Sequence, residues 1–194
     1  MPEQESSQAT RDALRQAFDD MIACFQEARD AIDDPALYPP PPTDRHLAEG
    51  YRYVLGFMLA GIERALGDPL YPRFRRAIQP MNRATIDNSD AVYLGVEIDG
   101  NYSYRIRGRA ADSRHWRGEP AAEGKTAPQY VIFELASGHA GDSGKLSEMK
   151  PGTRINTGTL DSATLQVADD GSFEILIAPE KPAGYTGNFI AGKR

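Results

Sequence analysis

Val92-Tyr-Leu-Gly-Val-Glu-Ile-Asp-Gly-Asn-Tyr-Ser-Tyr-Arg-Ile-Arg-Gly-Arg109 is the stretch on which the fold of this chain turns. Val92, Leu94, Val96 and Ile98 alternate with Tyr93, Gly95 and Glu97, the period-two pattern of a half-buried strand. Tyr102, Tyr104 and Ile106 alternate in the same way with Ser103, Arg105 and Arg107. Asp99-Gly100-Asn101 between them is turn chemistry. A two-residue loop would mix apolar and charged faces. A three-residue loop instead pairs Ile98 with Tyr102, Val96 with Tyr104 and Leu94 with Ile106, so a β-hairpin in that register is expected. It sets Glu97 near Ser103 and Arg105, and Tyr93 opposite Arg107. That outer face either holds an ion pair and a cation–π contact or presents them to a ligand.

Upstream the period changes. Leu14, Phe18, Met21, Phe25, Ala28 and Ile32 recur at steps of three and four, predicting an amphipathic helix from about Ala9 to Ile32 that stops at Asp33-Asp34-Pro35. Pro39 to Pro42 read as a stiff spacer. Thr43 or Asp44 then caps a second helix with an apolar stripe from Leu47 to Leu66, ended by Gly67 and Pro69. Gly50, Gly56 and Gly61 inside it each cost roughly 1 kcal/mol relative to alanine, which suggests close approach by another element. An antiparallel helical hairpin is the expectation. Arg73, Arg75, Arg76 and Arg83 lie in a connector, where they read as solvated partners of acidic helix surfaces rather than an anion site.

Downstream, Val131, Phe133 and Leu135 share one strand face and Glu134 lies on the other. Weaker strands fall near Thr153–Asn156 and Thr159–Leu160. Leu165 and Val167, the turn Asp169-Asp170-Gly171, and Phe173, Ile175 and Ile177 form a final hairpin. The whole reads as α+β: a helical hairpin over residues 1–82 with a Pro-rich connector, then an antiparallel β-sandwich, jelly-roll-like, over residues 83–194.

Composition narrows the function classes. A net charge of −6 argues against nucleic acid as a partner. No apolar run approaches the roughly 20 residues that span a bilayer, so no membrane association is expected. The lone Cys24 forms no internal disulfide, and Met1-Pro-Glu-Gln-Glu-Ser-Ser is unlike a secretory signal, so a cytoplasmic location is the expectation. No phosphate-cradling glycine loop, Gly-x-Ser-x-Gly elbow or Cys-x-x-Cys is present. His46, His115 and His139 form no metal-ligand spacing, and no metal or cofactor is expected.

Taken in order, several motifs resemble the bacterial family called domain of unknown function 1214 (DUF1214). They are Ala48-Glu-Gly-Tyr-Arg-Tyr53, Asp87-Asn-Ser-Asp-Ala-Val-Tyr93, Tyr104-Arg-Ile-Arg-Gly108, Asp170-Gly-Ser-Phe-Glu174 and Asn188-Phe-Ile190. Ser89 stands where the family has proline, and the closing element is Asn-Trp-Leu in the family. The resemblance spans roughly residues 10 to 190 and implies a jelly-roll-like sandwich, with no activity to transfer. Similar proteins continue beyond this element while the chain stops at Gly192-Lys-Arg194, which raises the expectation of a sheet incomplete at its C-terminal end.

Three functions follow. The first is a binding site for a small polar or anionic ligand, such as a carbohydrate, lined by Asp87, Asn88, Tyr93, Arg105, Arg107 and Trp116. Arginine grips carboxylate or phosphate bidentately, and a loop tryptophan stacks on a ring or plugs a sheet end. Local backbone bonding is the alternative, and the more usual, role for Asp87, Asn88 and Asn188, as a wet face paired with Glu97 is for the arginines. The second is a glycosidase-like hydrolase pairing Asp87 or Glu97 with Glu134, which requires the carboxylates within about 10 Å. The third is an interaction module, a homo-oligomer or a second chain completing an open sheet edge.

Overall fold

A computed structural model of the chain describes residues 6–79, 90–120, 124–137 and 155–192. It is α+β, and divides into two compact units, Met1–Glu97 and Ile98–Arg194. The division falls within the expected hairpin, after residue 97 rather than after residue 82.

In the first unit, α1 runs Gln8–Asp30 and α2 runs Asp44–Ala65. Ser7 caps α1 by accepting from the Thr10 amide at 3.1 Å, and Thr43 caps α2 by accepting from the His46 amide at 3.3 Å. Each cap satisfies an amide that the first helical turn leaves without a partner. The His46 ring donates through Nδ1 to the Pro41 carbonyl at 2.8 Å, tying the proline connector to the helix it precedes. The helices pack on each other. Gly50 answers for one of the three glycine costs, since a Cβ there would stand 2.6 Å from Ile32 Cγ2; at Gly61 the space is open. Two short strands follow, β1 (Arg75–Arg76) and β2 (Leu94–Gly95), paired antiparallel.

This pairing overturns the expected hairpin. Leu94 faces Arg76, the Ala77 amide donates to the Tyr93 carbonyl at 2.8 Å, and Val92 and Leu94 are exposed rather than core. The Asp99–Asn101 turn does form: Asp99 accepts the Tyr102 amide on its carbonyl and the Asn101 amide on its carboxylate. The Asp99 amide then donates to the Tyr104 hydroxyl at 2.9 Å. These bonds complete the turn although its two flanks pair with other strands.

In the second unit β3 (Tyr104–Arg109) pairs antiparallel with β6 (Ser172–Ala178). Parallel to β6 lies β7 (Asn188–Ala191), so this three-stranded sheet is mixed, not wholly antiparallel. β4 (Ile132–Ser137) and β5 (Ile155–Asp161) form a separate antiparallel pair, with an irregularity at Leu135/Ala136. The two sheets share one core. Leu165, Ile175, Ile177 and Ile190 form its buried centre, and Ile98, Tyr104, Ile106, Trp116 and Phe133 pack on it. Phe133 of β4 meets Phe173 of β6 edge-to-face, their ring centroids 5.9 Å apart. Inward parity is therefore as expected for Tyr104, Ile106, Phe133, Leu135, Phe173, Ile175 and Ile177. Leu165 is fully buried outside any strand. Next to it, the buried Asn188 amide accepts from Gln166 N at 2.7 Å and donates to the carbonyls of Gln166 and Glu174. It is a backbone-bonding residue, one of the two readings its sequence context allowed.

Two glycines should respond oppositely to alanine. Gly108→Ala drives a Cβ to 2.3 Å from the Phe173 ring and should cost about 1–3 kcal/mol. Gly61→Ala meets nothing and should stabilise the helix by up to about 1 kcal/mol. Urea denaturation of both variants beside the parent measures the two signs.

Candidate functional site

The register of β3 on β6 decides which side chains meet. Arg107 lies opposite Glu174 and Arg105 opposite Leu176. The Ala110 amide donates to Gly171 O, so by alternation Gly108, Ile106 and Tyr104 exchange main-chain bonds with β6. Arg107 and Glu174 are consequently a non-hydrogen-bonded pair, the kind whose side chains stand closest. Glu174 Oε2 accepts from Arg107 Nε at 2.9 Å, and its Oε1 accepts from Arg105 Nη1. The Arg107 hydrogen bond, joined by Arg105, holds the Glu174 carboxyl below the usual glutamate range against the opposing effect of desolvation. Arg109 Nε donates to the Asp170 carbonyl at 2.8 Å. Asp170 is held low in turn by hydrogen bonds from the Ser172 hydroxyl and amide.

Beside this ladder is a groove of about 500 Å³. Leu176 and Ala178 are its apolar floor, Pro179 and Pro182 are part of its wall, and Ser103, Arg105 and Glu180 bring polar atoms to it. Lys181 stands next in the same loop, with Nζ 6.0 Å from the Phe189 ring centroid. An apolar floor with a few convergent polar groups is the make-up of a small-ligand site.

Of the expected site residues in the second unit, Arg105 and Arg107 share one face of β3 and Trp116 lies toward the other. Arg105 lines the groove and Arg107 joins it through Glu174. Trp116 lies in the 3-10 turn Arg114–Arg117 and packs on the core, the opposite face of β3 from Arg105. Its Nε1 donates to Pro128 O at 2.8 Å, and His115 Nε2 lies 3.1 Å from the same oxygen, which fixes the proton on Nε2. Its ring is thus engaged with the core and its N–H with the backbone. Tyr93 belongs to the first unit, its carbonyl bonded to Ala77, and does not oppose Arg107 in a strand pair. Asp87 and Asn88 lie outside the described residues.

Glu97 does not pair with Arg105. Its two oxygens accept from Arg64 Nε at 3.3 Å and from Arg75 Nη2. Of the connector arginines, Arg75 thus pairs with a carboxylate in the segment just after β2, not on a helix. Glu134 faces outward as expected, accepting from Asn156 Nδ2 at 3.2 Å. Among the described residues no group of three or more His, Cys, Asp or Glu is placed to hold a metal ion. Among them also, no helix is long and apolar enough to cross a membrane.

Several important residues escaped the sequence. Glu174 was readable in principle, since it alternates outward between Phe173 and Ile175. The groove loop 179–182 has no periodicity to reveal it. Arg117 also gave no signal: its guanidinium donates to the carbonyls of Ser162 at 2.7 Å, Ala163 at 3.0 Å and Leu165.

Comparison with protein-family models gives no match, and comparison with curated proteins gives none either. Among solved structures, the chain is similar to an uncharacterised protein from Burkholderia cenocepacia, with a TM-score of 0.70 and 24% identity. The match covers 92% of this chain and 42% of that one, so the chain spans less than half the length of its structural relative. The likeness is one of fold.

The Glu174 carboxyl has its pKa lowered on folding, so its contribution to stability is fully present above the ordinary glutamate value of about 4.3 and is lost as pH falls through the depressed one. Glu174→Gln should therefore lose less stability than the parent between about pH 6 and pH 3. Urea midpoints across that range provide the check, and identical slopes in the two proteins would refute the assignment.

Proposed function

We propose that this chain is a binding module for a small polar ligand bearing a carboxylate or comparable anion, with the groove at Arg105 as its site. One observation carries the reading: the groove combines the apolar floor of Leu176 and Ala178 with Arg105, Ser103 and Glu180 at its side. The floor suits the carbon face of a sugar acid or similar molecule, Arg105 suits its anion, and Glu180 suits a hydroxyl donor. Arg105 already gives one donor to Glu174, which leaves the rest of its guanidinium fork for a ligand. Of the residues expected from sequence, this reading keeps Arg105 in the groove, with Arg107 beside it through Glu174, and leaves out Trp116.

The motif resemblance to DUF1214, a jelly-roll organisation of the strands and a cytoplasmic location belong to the same proposal. They rest on the ordered motifs, on two sheets around one core and on the single Cys24. The hydrolase reading has less behind it. Both oxygens of Glu97 are engaged by arginines, and Glu134 sits on a solvated strand face.

Thermal unfolding in a panel of glucuronate, galacturonate, citrate and inorganic phosphate tests the proposal. At least one carboxylate ligand should raise the Tm, by mass action on the folded state, and Arg105→Ala should abolish the rise. A Tm unmoved by every compound at millimolar concentration, or a rise unchanged in Arg105→Ala, would overturn it.

A further inference from the structure

We propose that the outer edge of β3 is a docking site for an extended acidic peptide strand, with acidic side chains at every second position. This goes beyond the small-ligand reading and uses a different part of β3. Two hydrogen bonds fix which backbone groups face outward. Ala110 N donates to Gly171 O across the β3–β6 pair, and Gly192 N donates to Ala178 O on the side of β7. Alternation then turns the amides and carbonyls of Arg105, Arg107 and Arg109 away from β6. Among the described residues no strand pairs with that edge.

An unpaired edge is a template for a further strand, and charge decides which strand it takes. Arg105, Arg107 and Arg109 put a positive group on one face at every second residue, about 6.8 Å apart. Glu174 offsets part of this charge through Arg105 and Arg107, and Asp170 offsets part through Arg109, which also donates to the Asp170 carbonyl; three arginines against two carboxylates leave the row positive. A second copy of β3 would set arginine near arginine, which disfavours self-pairing. Glutamates at alternate positions of an incoming strand meet the arginines instead, and its intervening residues fall on the side of Tyr104 and Ile106, where apolar residues fit. Side-chain charge and main-chain bonding thus select the same partner. An acidic protein that displays this row on an edge strand repels its own kind and still accepts a complementary chain.

A fluorescein-labelled Gly-Glu-Val-Glu-Val-Glu-Val-Gly peptide, titrated with the full chain and followed by anisotropy, provides the test. The peptide should bind at low salt, while its counterpart with lysine for glutamate should not. Arg107→Ala, a change at an exposed side chain outside the groove, should weaken binding about tenfold or more. A peptide N-methylated at the alternate residues that face β3 should lose binding even to the unmodified protein, a control that needs no variant to fold. Equal binding of the glutamate and lysine peptides would overturn the proposal. So would retained binding of the N-methylated peptide, which would make the edge a simple polyanion surface that inorganic polyphosphate displaces as well.

Discussion

The pairing of β3 with β6 is the constraint on which the second unit rests. One register places Ile106 against Ile175 and Tyr104 against Ile177 on the core face, and Arg107 against Glu174 on the other. A slip by one residue would turn arginines into the core and Tyr104 and Ile106 toward water. Burying an unpaired charge costs several kcal/mol, far more than an exposed ion pair contributes, so the apolar face sets the register. The Arg105–Glu174–Arg107 cluster is then a consequence. It adds little to stability at its exposure, but it fixes where the guanidinium groups point, and that matters to any ligand.

A second constraint appears where the core is closed without a strand. Leu165 is fully buried in a segment outside the sheets, and such a segment is tolerated only when its peptide groups find partners. Arg117 takes the Leu165 carbonyl, and Asn188 takes both the amide and the carbonyl of Gln166. Asn188 also bonds the Glu174 carbonyl, so the side chain that closes the loop is tied to the strand that carries the ion pair. The parallel β6–β7 pair and the arginine ladder are linked through this one amide.

Parity was legible in the sequence and partnership was not. Alternation reports which side chains share a face, and it placed Tyr104 with Ile106, Arg105 with Arg107, and Glu134 outward. It does not report which strand lies alongside. The Asp99–Asn101 turn has the same chemistry whether its flanks pair or separate, and here Leu94 pairs with Arg76 while Arg105 pairs with Leu176. Long-range β pairing depends on competition among strands of similar pattern, and both the Leu94–Ile98 flank, with Glu97, and β6, with Glu174, offered β3 an apolar face and a carboxylate. The helices were simpler because their caps and stripes are local, as at Ser7 and Thr43. The groove was hidden for the opposite reason: Pro179, Glu180 and Pro182 have no period and gain meaning only beside Arg105.

The arginines of β3 also explain how an exposed edge can persist. A flat apolar edge of six residues would invite association with any similar strand. Alternating arginine removes that hazard through repulsion between copies, at no cost to the core, because the intervening Tyr104 and Ile106 still face inward. Lysine would repel equally well but offers a single point of charge, whereas a guanidinium can bond Glu174 and still present further donors. One residue type in one register therefore accounts for a protected edge, an oriented ion pair and a groove with a guanidinium at its side. The choice of arginine at these positions is the physical link between the fold of β3 and the two recognition surfaces proposed on it.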